Sequence, residues 1–385
     1  MTSAALDPLE ITRALIRCPS ITPADAGALD ALQAPLEGLG FTCHRLTFEE
    51  PGTEPVQNLY ARLGNGGECF GYAGHTDVVP IGDPADWSVD PFAAEIRDER
   101  LYGRGAVDMK GSIGAFVAAL DGFLKRRGQN FGGSICLLIT GDEEALAVNG
   151  TRKLLGWLAE RGEGPDACLV GEPTSGARLG DTIKIGRRGS MSAAITIRGV
   201  QGHTAYPQLA DNPAHRLVNL LHTLTDKALD GGNEHFEPSS LQITTIDIGN
   251  PASNVIPAQA EARMNIRFND IHSGASLERW LRETLEASSA DYDLTVRVSG
   301  ESFLTPPGRL SEVMTAAVRS VVGIEPTLGT GGGTSDARFI KDICPVAELG
   351  LRNDSAHKVD EHAELAEIRQ LAAVYEAVLD GFFPA

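Results

Sequence analysis

The sequence predicts an α/β fold, with a mostly parallel sheet flanked by helices and an inserted α+β domain. The runs Ile135–Thr140 and Ala167–Gly171 are apolar without alternation, which is typical of strands buried on both faces of a parallel sheet. Segments with helical spacing of apolar residues lie among such runs, as in successive β-α-β units. The block from about Arg187 to Gly300 departs from this pattern and is therefore predicted to be the insertion.

The first domain is predicted to comprise residues 1–187 and 300–385. Its helices are indicated by an apolar face and by a terminal breaker, such as Pro19 after the first and Gly40 after the second. We predict helices at Leu6–Ile16, Ala28–Leu39, from Ser112 onward, Leu310–Val322 and Leu365–Phe382, and strands at Asn58–Leu63, Glu68–Ala73, Ile135–Thr140, Ala167–Gly171 and Pro345–Leu351.

The insertion is predicted to span residues 188–299 and to be ferredoxin-like. Its elements follow the order strand, helix, strand, strand, helix, strand, which is the order of that unit. The predicted strands are Met191–Val200, Leu241–Ile248, Ala260–Phe268 and Tyr292–Val298, and the predicted helices are Pro213–Leu229 and Ser276–Ser288.

Composition restricts the class of protein and its partners. The chain has 385 residues, of which 42% are hydrophobic and 22% charged, enough for two ordinary globular domains. A net charge of −19 argues against nucleic acid and anionic membranes as partners. A local arginine cluster would still admit a small anionic substrate. With no C-x-x-C pair, no signal peptide and no long apolar span, we expect a cytoplasmic protein without thiolate zinc sites.

Polar side chains of metal-ligand type follow the predicted strands. His75 comes after one, Glu143 and Glu144 after the next, and Glu172 after a third. His357 lies a few residues beyond Leu351, and Asp108 lies in the Gly-rich turn before the helix that starts near Ser112. Because ligands bind at the carboxyl ends of strands in open α/β sheets, we expect these side chains to converge.

Two imidazoles and three carboxylates suit two zinc-like ions that share one carboxylate and keep positions open for water or substrate. In this interpretation Asp108 bridges, Glu144 binds metal, and Glu143 accepts a proton from the attacking water. Asp77 is positioned to orient His75. Each residue alone also has a structural explanation: a helix cap for Asp108, a hydrogen-bonded loop for either histidine, or a solvated acidic turn.

Several motifs resemble the dizinc aminoacylase and carboxypeptidase family, which also includes acetylornithine deacetylases and peptidases. The resemblance covers nearly the whole chain. The segments that carry it are Gly74–Pro80, Gly103–Gly111, Asp142–Glu144, Gly171–Thr174, Lys184–Ser190, Gly202–Pro207, Ser253–Pro257, Asn265–Asn269, Gly332–Phe339 and His357–Val359. The later segments are most similar to the desuccinylases of that family. The resemblance implies a zinc-exopeptidase-like fold and a cis peptide bond between Asp108 and Met109.

The resemblance also implies a ligand set. His75, Asp108 and Glu172 would bind one Zn²⁺, and Asp108, Glu144 and His357 the other, giving two Zn²⁺ per subunit with Co²⁺ able to replace one. Glu143 would be the general base. The inserted domain would be a lid and the interface of a homodimer, and His203 would reach the partner subunit's site to polarise the scissile carbonyl.

The implied reaction is hydrolysis of N-succinyl-L,L-2,6-diaminopimelate to succinate and L,L-2,6-diaminopimelate in lysine and diaminopimelate biosynthesis. Such a substrate carries several carboxylates, which planar guanidinium groups bind well. The predicted substrate-binding residues are Arg188, Arg267, Asn254, Tyr206, Thr334, Ser335 and Asn353. For either arginine, a surface position is the structural alternative. Acetylornithine deacetylase, another N-acyl amino-acid amidohydrolase, or a non-catalytic binding protein on the same scaffold remain alternative functions.

Overall fold

The computed structural model describes residues 5–288 and 291–384. Residues 1–4 and 385 of the predicted first domain, and residues 289–290 of the predicted insertion, lie outside this part. Within it the helices are α1 Pro8–Ile16, α2 Ala28–Gly38, α3 Lys110–Arg127, α4 Thr151–Ala159, α5 Pro213–Thr225, α6 Gly274–Ser288, α7 Arg309–Val322, α8 Ala337–Ile340 and α9 Leu365–Phe382. Short 3-10 turns lie at Pro84–Asp86 and Pro207–Leu209.

The strands, in chain order, are β1 Thr42–Phe48, β2 Val56–Leu63, β3 Cys69–His75, β4 Glu95–Arg97, β5 Arg100–Tyr102, β6 Ser134–Thr140, β7 Ala167–Val170, β8 Thr182–Lys184, β9 Gly186–Arg187, β10 Gly189–Arg198, β11 Gly202–His203, β12 Ser240–Asp247, β13 Val255–Ile256, β14 Gln259–Phe268, β15 Tyr292–Gly300, β16 Phe303–Leu304, β17 Thr327–Gly329, β18 Val346–Glu348 and β19 His362–Glu364.

An eight-stranded sheet with the order β1-β2-β6-β3-β7-β18-β8-β17 forms the centre of the first compact unit. Its middle is parallel, from β6 through β3 and β7 to β18. Every residue of β3, β6 and β7 is buried, as their uniform apolar character predicts. Helices α3 and α9 pack on each other and on α1, α7 packs on α9, and α4 contacts β6. The predicted α/β class is therefore confirmed.

The second compact unit contains a four-stranded antiparallel sheet with the order β12-β14-β10-β15. Helices α5 and α6 pack on it and on each other, which gives the predicted ferredoxin-like arrangement. Met191, Ala193, Ile195 and Ile197 of β10 are buried at alternate positions. This period of two directs one face of the strand into a core that includes Leu217 of α5.

The units separate after Ile185 and after Leu304, and the short segment Thr330–Thr334 belongs with the second unit. Gly186–Leu304 extends beyond the predicted insertion at both ends, because the connecting strands β9 and β16 pair with each other. The predicted strand Pro345–Leu351 is shorter in the structure and ends at Glu348. At Gly350 the backbone lies so close to the chain at Glu172 that a Cβ atom would be 2.3 Å from its carbonyl oxygen.

Candidate metal centre

Four adjacent parallel strands bring the predicted ligands to one edge of the central sheet. His75 is the last residue of β3. Its neighbours β6 and β7 lead into Glu143–Glu144 and Glu172, and β18 leads toward His357. Residues that are far apart in the sequence therefore come together because parallel strands end at the same edge.

Asp108 is presented by the glycine turn that precedes α3. Gly103 and Gly105 have φ values of +154° and +87°, a region that residues with a Cβ atom rarely adopt. A Cβ on Gly103 would also lie 2.5 Å from Ile16. The Asp108–Met109 peptide is cis, as expected. Met109, not Asp108, occupies the N-cap of α3, so the alternative explanation of Asp108 as a helix cap is wrong.

The two carboxylate oxygens of Asp108 face two different histidines. Oδ1 lies 3.1 Å from Nε2 of His75, and Oδ2 lies 3.3 Å from Nε2 of His357. On the first side, Nε2 of His75 is 3.7 Å from Oε1 of Glu172. On the second, Nε2 of His357 is 2.8 Å from Oε1 of Glu144. Two sets of ligand-type atoms thus share Asp108.

Distances between ligand atoms identify two possible groups. His75, Asp108 and Glu144 each offer an atom within 4.8 Å of the others, and so do His75, Glu143 and Glu172. The second group contains Glu143, the predicted base, in place of Asp108. A general base must also lie close to water held at the metal centre. The closeness of Glu143 to His75 and Glu172 therefore fits the predicted base as well as a metal ligand.

Asp77 contacts both halves of the site. Its main-chain oxygen lies 2.9 Å from Nδ1 of His75, whereas its carboxylate Oδ1 is 3.6 Å away. The main-chain carbonyl therefore accepts from Nδ1 and leaves Nε2 to face Asp108. The Asp77 carboxylate instead accepts the N–H groups of Glu143 and Glu144, at 3.3 and 3.1 Å. Asp77 thus orients the acidic loop as well as the imidazole.

The electrostatics of the site favour a cation. Asp77 and Glu172 are buried, and the side chains of Asp108 and Glu144 are only 13% and 8% exposed. Such carboxylates are costly to bury unless positive charge compensates them. Burial, and next the charge of Glu172, raise the pKa of Glu143 well above its usual range. The set of imidazole nitrogens and carboxylate oxygens, without thiolates, fits divalent metals of the zinc type.

The two histidines respond to the same carboxylates. Burial alone would lower the pKa of His75, but hydrogen bonds to Asp108 and Asp77 raise it well above the usual imidazole range. Hydrogen bonds to Asp108 and Glu144 raise the pKa of His357 to about 10. His357 also has a φ of +62°, an uncommon conformation for a residue with a Cβ atom. Strain of this kind concentrates at functional sites.

In the second unit, His203, Tyr206 and Asn254 lie close together. His203 pairs with Val255 in the β11–β13 ladder, and the N–H of Thr204 donates to the Asn254 carbonyl at 3.1 Å. The rings of His203 and Tyr206 are 5.6 Å apart. The N–H of Ala205 donates to Nδ1 of His203 at 3.0 Å, so the imidazole proton of neutral His203 resides on the exposed Nε2.

The two predicted substrate arginines are also neighbours within this unit. Burial and the nearby Arg188 cation lower the pKa of Arg267. Arg267 Nε donates to Asn265 Oδ1 at 3.1 Å, and Nη1 of Arg188 lies 3.7 Å from the exposed Glu237 carboxylate. Two guanidinium groups brought together in this way favour an anion between them.

The other predicted substrate residues differ in accessibility. Asn353 is exposed on the first unit. Thr334 belongs with the second unit and has a buried hydroxyl oxygen. Ser335 is fully buried, and its hydroxyl donates to Glu348 at 2.7 Å. Its side chain is thus engaged within the protein.

Sequence reasoning missed three charged residues that organise the loops of the centre. Asp142 is buried and accepts the N–H groups of residues 147–149, which fixes the loop after Glu144. Arg104 and Glu361 form a buried ion pair of 2.7 Å beside Asp108. The available signals were an arginine between two glycines and a glutamate four residues after His357.

Residues 71–381 match the family model described as peptidase family M20/M25/M40. The chain belongs to this family. The match includes every predicted metal ligand, from His75 to His357.

Other members of the M20/M25/M40 family resemble the chain along nearly its full length. A succinyl-diaminopimelate desuccinylase from Rhodospirillum centenum is 61% identical over 379 residues, covering 98% of each chain. A succinyl-diaminopimelate desuccinylase from Parvibaculum lavamentivorans is 56% identical and covers 98% of this chain and 96% of its own. Among solved structures, a dinuclear metal-binding peptidase from the M20 family of Bacillus subtilis has a TM-score of 0.68, 15% identity and 97% coverage of both chains.

Among the described residues, no helix combines the length and the apolar character needed to cross a bilayer.

Proposed function

We propose that this protein is a succinyl-diaminopimelate desuccinylase of diaminopimelate and lysine biosynthesis. It hydrolyses the amide bond of N-succinyl-L,L-2,6-diaminopimelate with water, which gives succinate and L,L-2,6-diaminopimelate. The observation that carries the chemistry is Asp108, whose two oxygens face His75 and His357 separately. The choice of substrate rests on relatives of that name with 61% and 56% identity over nearly the whole chain.

The metals are proposed to be two Zn²⁺ ions, with Co²⁺ able to replace one of them. His75, Asp108 and Glu172 would hold one ion, and Asp108, Glu144 and His357 the other. When bound, such ions act as Lewis acids and lower the pKa of coordinated water. The nitrogen and oxygen ligands support zinc but also suit cobalt.

Glu143 moves the proton in this reaction. It accepts a proton from the attacking water and later gives it to the leaving amine nitrogen as the amide C–N bond breaks. Asp77 supports this role, because its carboxylate holds the N–H groups of both Glu143 and Glu144. The base and its neighbouring ligand are therefore oriented by the same side chain.

His203 donates a hydrogen bond to the carbonyl oxygen of the scissile amide, where negative charge develops in the transition state. Its tautomer supports this proposal, since Ala205 N–H occupies Nδ1 and leaves the proton on Nε2. Arg188 and Arg267 bind substrate carboxylates, and Asn254, Tyr206, Thr334 and Asn353 contribute further polar contacts. The Ser335 side chain supports its loop through Glu348.

The second unit is proposed to be a lid and the interface of a homodimer in the cytoplasm. Its sheet has β12 at one edge, where Ile246 is 55% exposed. Ile248 just beyond it and Val218 on α5 are also exposed. Exposed apolar residues at a sheet edge favour pairing with another chain, here a second copy. The six free cysteines suit a reducing compartment.

Hydrolysis assays combined with metal analysis test this function. We expect the purified protein to bind two Zn²⁺ per chain and to release succinate from N-succinyl-L,L-2,6-diaminopimelate, with N-acetylornithine assayed in parallel as the alternative substrate. A preference for N-acetylornithine would assign the sister activity, because the metal chemistry is shared. Two tightly bound ions without hydrolysis of either compound would contradict the enzymatic proposal.

A further inference from the structure

A buried ion pair lies beside the candidate centre without contributing a predicted ligand. Arg104 is 2% exposed and Glu361 is fully buried, and Nη1 of Arg104 donates to Oε2 of Glu361 at 2.7 Å. They lie 257 positions apart in the sequence. Buried ion pairs often stabilise a fold no better than apolar residues of similar volume. The role of this pair is therefore better indicated by the other groups that Arg104 and Glu361 contact.

Glu361 binds the loop that carries Asp108. Its Oε1 accepts the N–H groups of Gly105, Val107 and Asp108, at 3.1, 3.0 and 3.2 Å. Its main-chain oxygen accepts from Gly103 at 2.9 Å. Several converging N–H groups on one oxygen form an anion-binding nest that fixes the backbone. The direction in which Asp108 points thus depends on Glu361.

Arg104 binds the loop that carries His357. Nη1 donates to the Lys358 carbonyl at 3.1 Å, and Nη2 lies within hydrogen-bond distance of the carbonyls of His357 and Pro80, at 3.5 and 3.4 Å. The guanidinium also lies 5.1 Å from the ring centroid of Trp87. These contacts restrain His357 in its left-handed conformation, which is unfavourable without support.

We propose that Arg104 and Glu361 are positioning residues that hold Asp108 and His357 in register for metal binding. The inference rests on the proposed metal ligands. Neither side chain touches the reacting atoms; each acts through the backbone of a ligand loop. Residues that orient ligands in this way typically contribute 10- to 100-fold to metal affinity or activity, and we expect an effect in that range.

Zinc affinity measured apart from catalysis tests the proposal. Dissociation constants for Zn²⁺ alone would be obtained by competition with a chelator for Arg104→Met, Glu361→Gln and the double variant. The double variant leaves no buried unpaired charge, so it keeps the test valid if either single variant fails to fold. We expect its two constants to rise about 10- to 100-fold, the larger rise being at the site completed by Glu144 and His357.

Asp121→Asn is the matched control. Asp121 is also a buried carboxylate. It accepts hydrogen bonds from the main-chain N–H of Leu6 and from the ammonium group of Lys125, both at 2.8 Å. This control should lower the melting temperature of the metal-free protein while leaving both Zn²⁺ constants unchanged. Co²⁺ absorption spectra should likewise change in the double variant and not in the control.

Wild-type constants in the double variant would overturn the positioning role even if its melting temperature fell. Wild-type protein that binds no Zn²⁺ would overturn the metal centre and, with it, this inference. The two failures are distinguishable because the first requires two ions on the wild-type chain.

Discussion

Asp108 and Glu143 are acidic residues in loops at the same sheet edge, yet their surroundings differ. Burial alone would raise the pKa of Asp108, but hydrogen bonds from His357 and His75 hold it below its usual range. Burial and the charge of Glu172 raise the pKa of Glu143. Environments that separate the pKa values of two carboxyls are typical of sites where the two play different roles. The low pKa of Asp108 suits the metal ligand proposed for it, and the raised pKa of Glu143 suits the proton acceptor proposed for it.

Replacing Glu143 by glutamine tests the role assigned to it. A general base contributes about 10²- to 10⁴-fold to the rate, so Glu143→Gln should lower kcat by that amount. Zn²⁺ content should stay at the wild-type value, because Glu143 is not a proposed ligand. Glu160→Gln, at a side chain 79% exposed, is the control and should leave kcat unchanged. Full activity of Glu143→Gln, or loss of one ion, would contradict the assignment.

At the scale of elements, residue pattern predicted the strands that position the site. The predicted strands at Ile135–Thr140 and Ala167–Gly171 are confirmed as β6 and β7, because buried strands of a parallel sheet are uniformly apolar. The alternating strands and the two helices of the ferredoxin-like unit are also confirmed. The predicted helix Pro213–Leu229 ends earlier, at Thr225, since the chain then enters a loop fixed by Asp230.

Among the described elements that the sequence did not predict, strand β1 and helix α4 show why such elements are missed. Strand β1 has a half-exposed, mixed pattern because it is the edge strand of the central sheet, where side chains meet solvent. Helix α4 is short, with Gly150 at its N-cap and Gly156 inside it. The spacing of Leu154, Leu155 and Leu158 was the available signal for it, since these residues form its buried face.

The loop between α5 and β12 depends on one carboxylate. Asp230 accepts the N–H of Gly232 at 2.8 Å, the N–H of Ser239 at 3.2 Å and an amide hydrogen of Asn269 at 2.7 Å. His272 Nε2 lies 3.2 Å from its other oxygen. Burial would raise the pKa of Asp230, but hydrogen bonds from Ser239, Gly232 and Asn269 lower it below its ordinary value of 3.8. The ionised form therefore stabilises the folded loop.

A pH-dependent stability follows for Asp230→Asn. A depressed pKa gives stability that is present above the unfolded-state value and is lost as pH falls through the folded-state value. At pH 7 the variant should lose about 1.5–3 kcal/mol of unfolding free energy, as for hydrogen bonds to charged groups. The difference should shrink as pH falls below 3.8. Urea unfolding at several pH values measures it, with the exposed Asp226→Asn as control; a pH-independent difference would contradict the explanation.

At the scale of the whole molecule, the sequence predicted which residues meet at the sheet edge but not how they are held. Their proximity was predictable because the carboxyl ends of parallel strands lie at the same edge of such a sheet. The Arg104–Glu361 pair was not, because it joins loops 257 positions apart through backbone groups that carry no residue-specific signal. The position of Asp77 near His75 was visible, whereas its hold on the Glu143–Glu144 loop required the structure.

The proposed homodimer makes a quantitative prediction about shared sites. If His203 acts in the partner subunit's centre, a His203→Ala chain and a Glu143→Gln chain are each inactive as homodimers. In a mixed dimer, however, the His203→Ala chain keeps Glu143 and receives His203 from its partner. One of its two sites is then complete. Random pairing at equal amounts makes half of the dimers mixed, so about one quarter of wild-type activity should return on mixing.

The measurement is succinate release after the two variants have been mixed and allowed to exchange subunits, with each variant alone as a baseline. The Zn²⁺ content of both variants should match that of wild type, because neither residue is a proposed ligand. Recovery requires exchange, so a dimer labelled on each chain should show the mixed species appearing at the rate at which activity returns. Mixed dimers without activity would place His203 in its own subunit's site, and a monomer at assay concentrations would remove the basis of the shared centre.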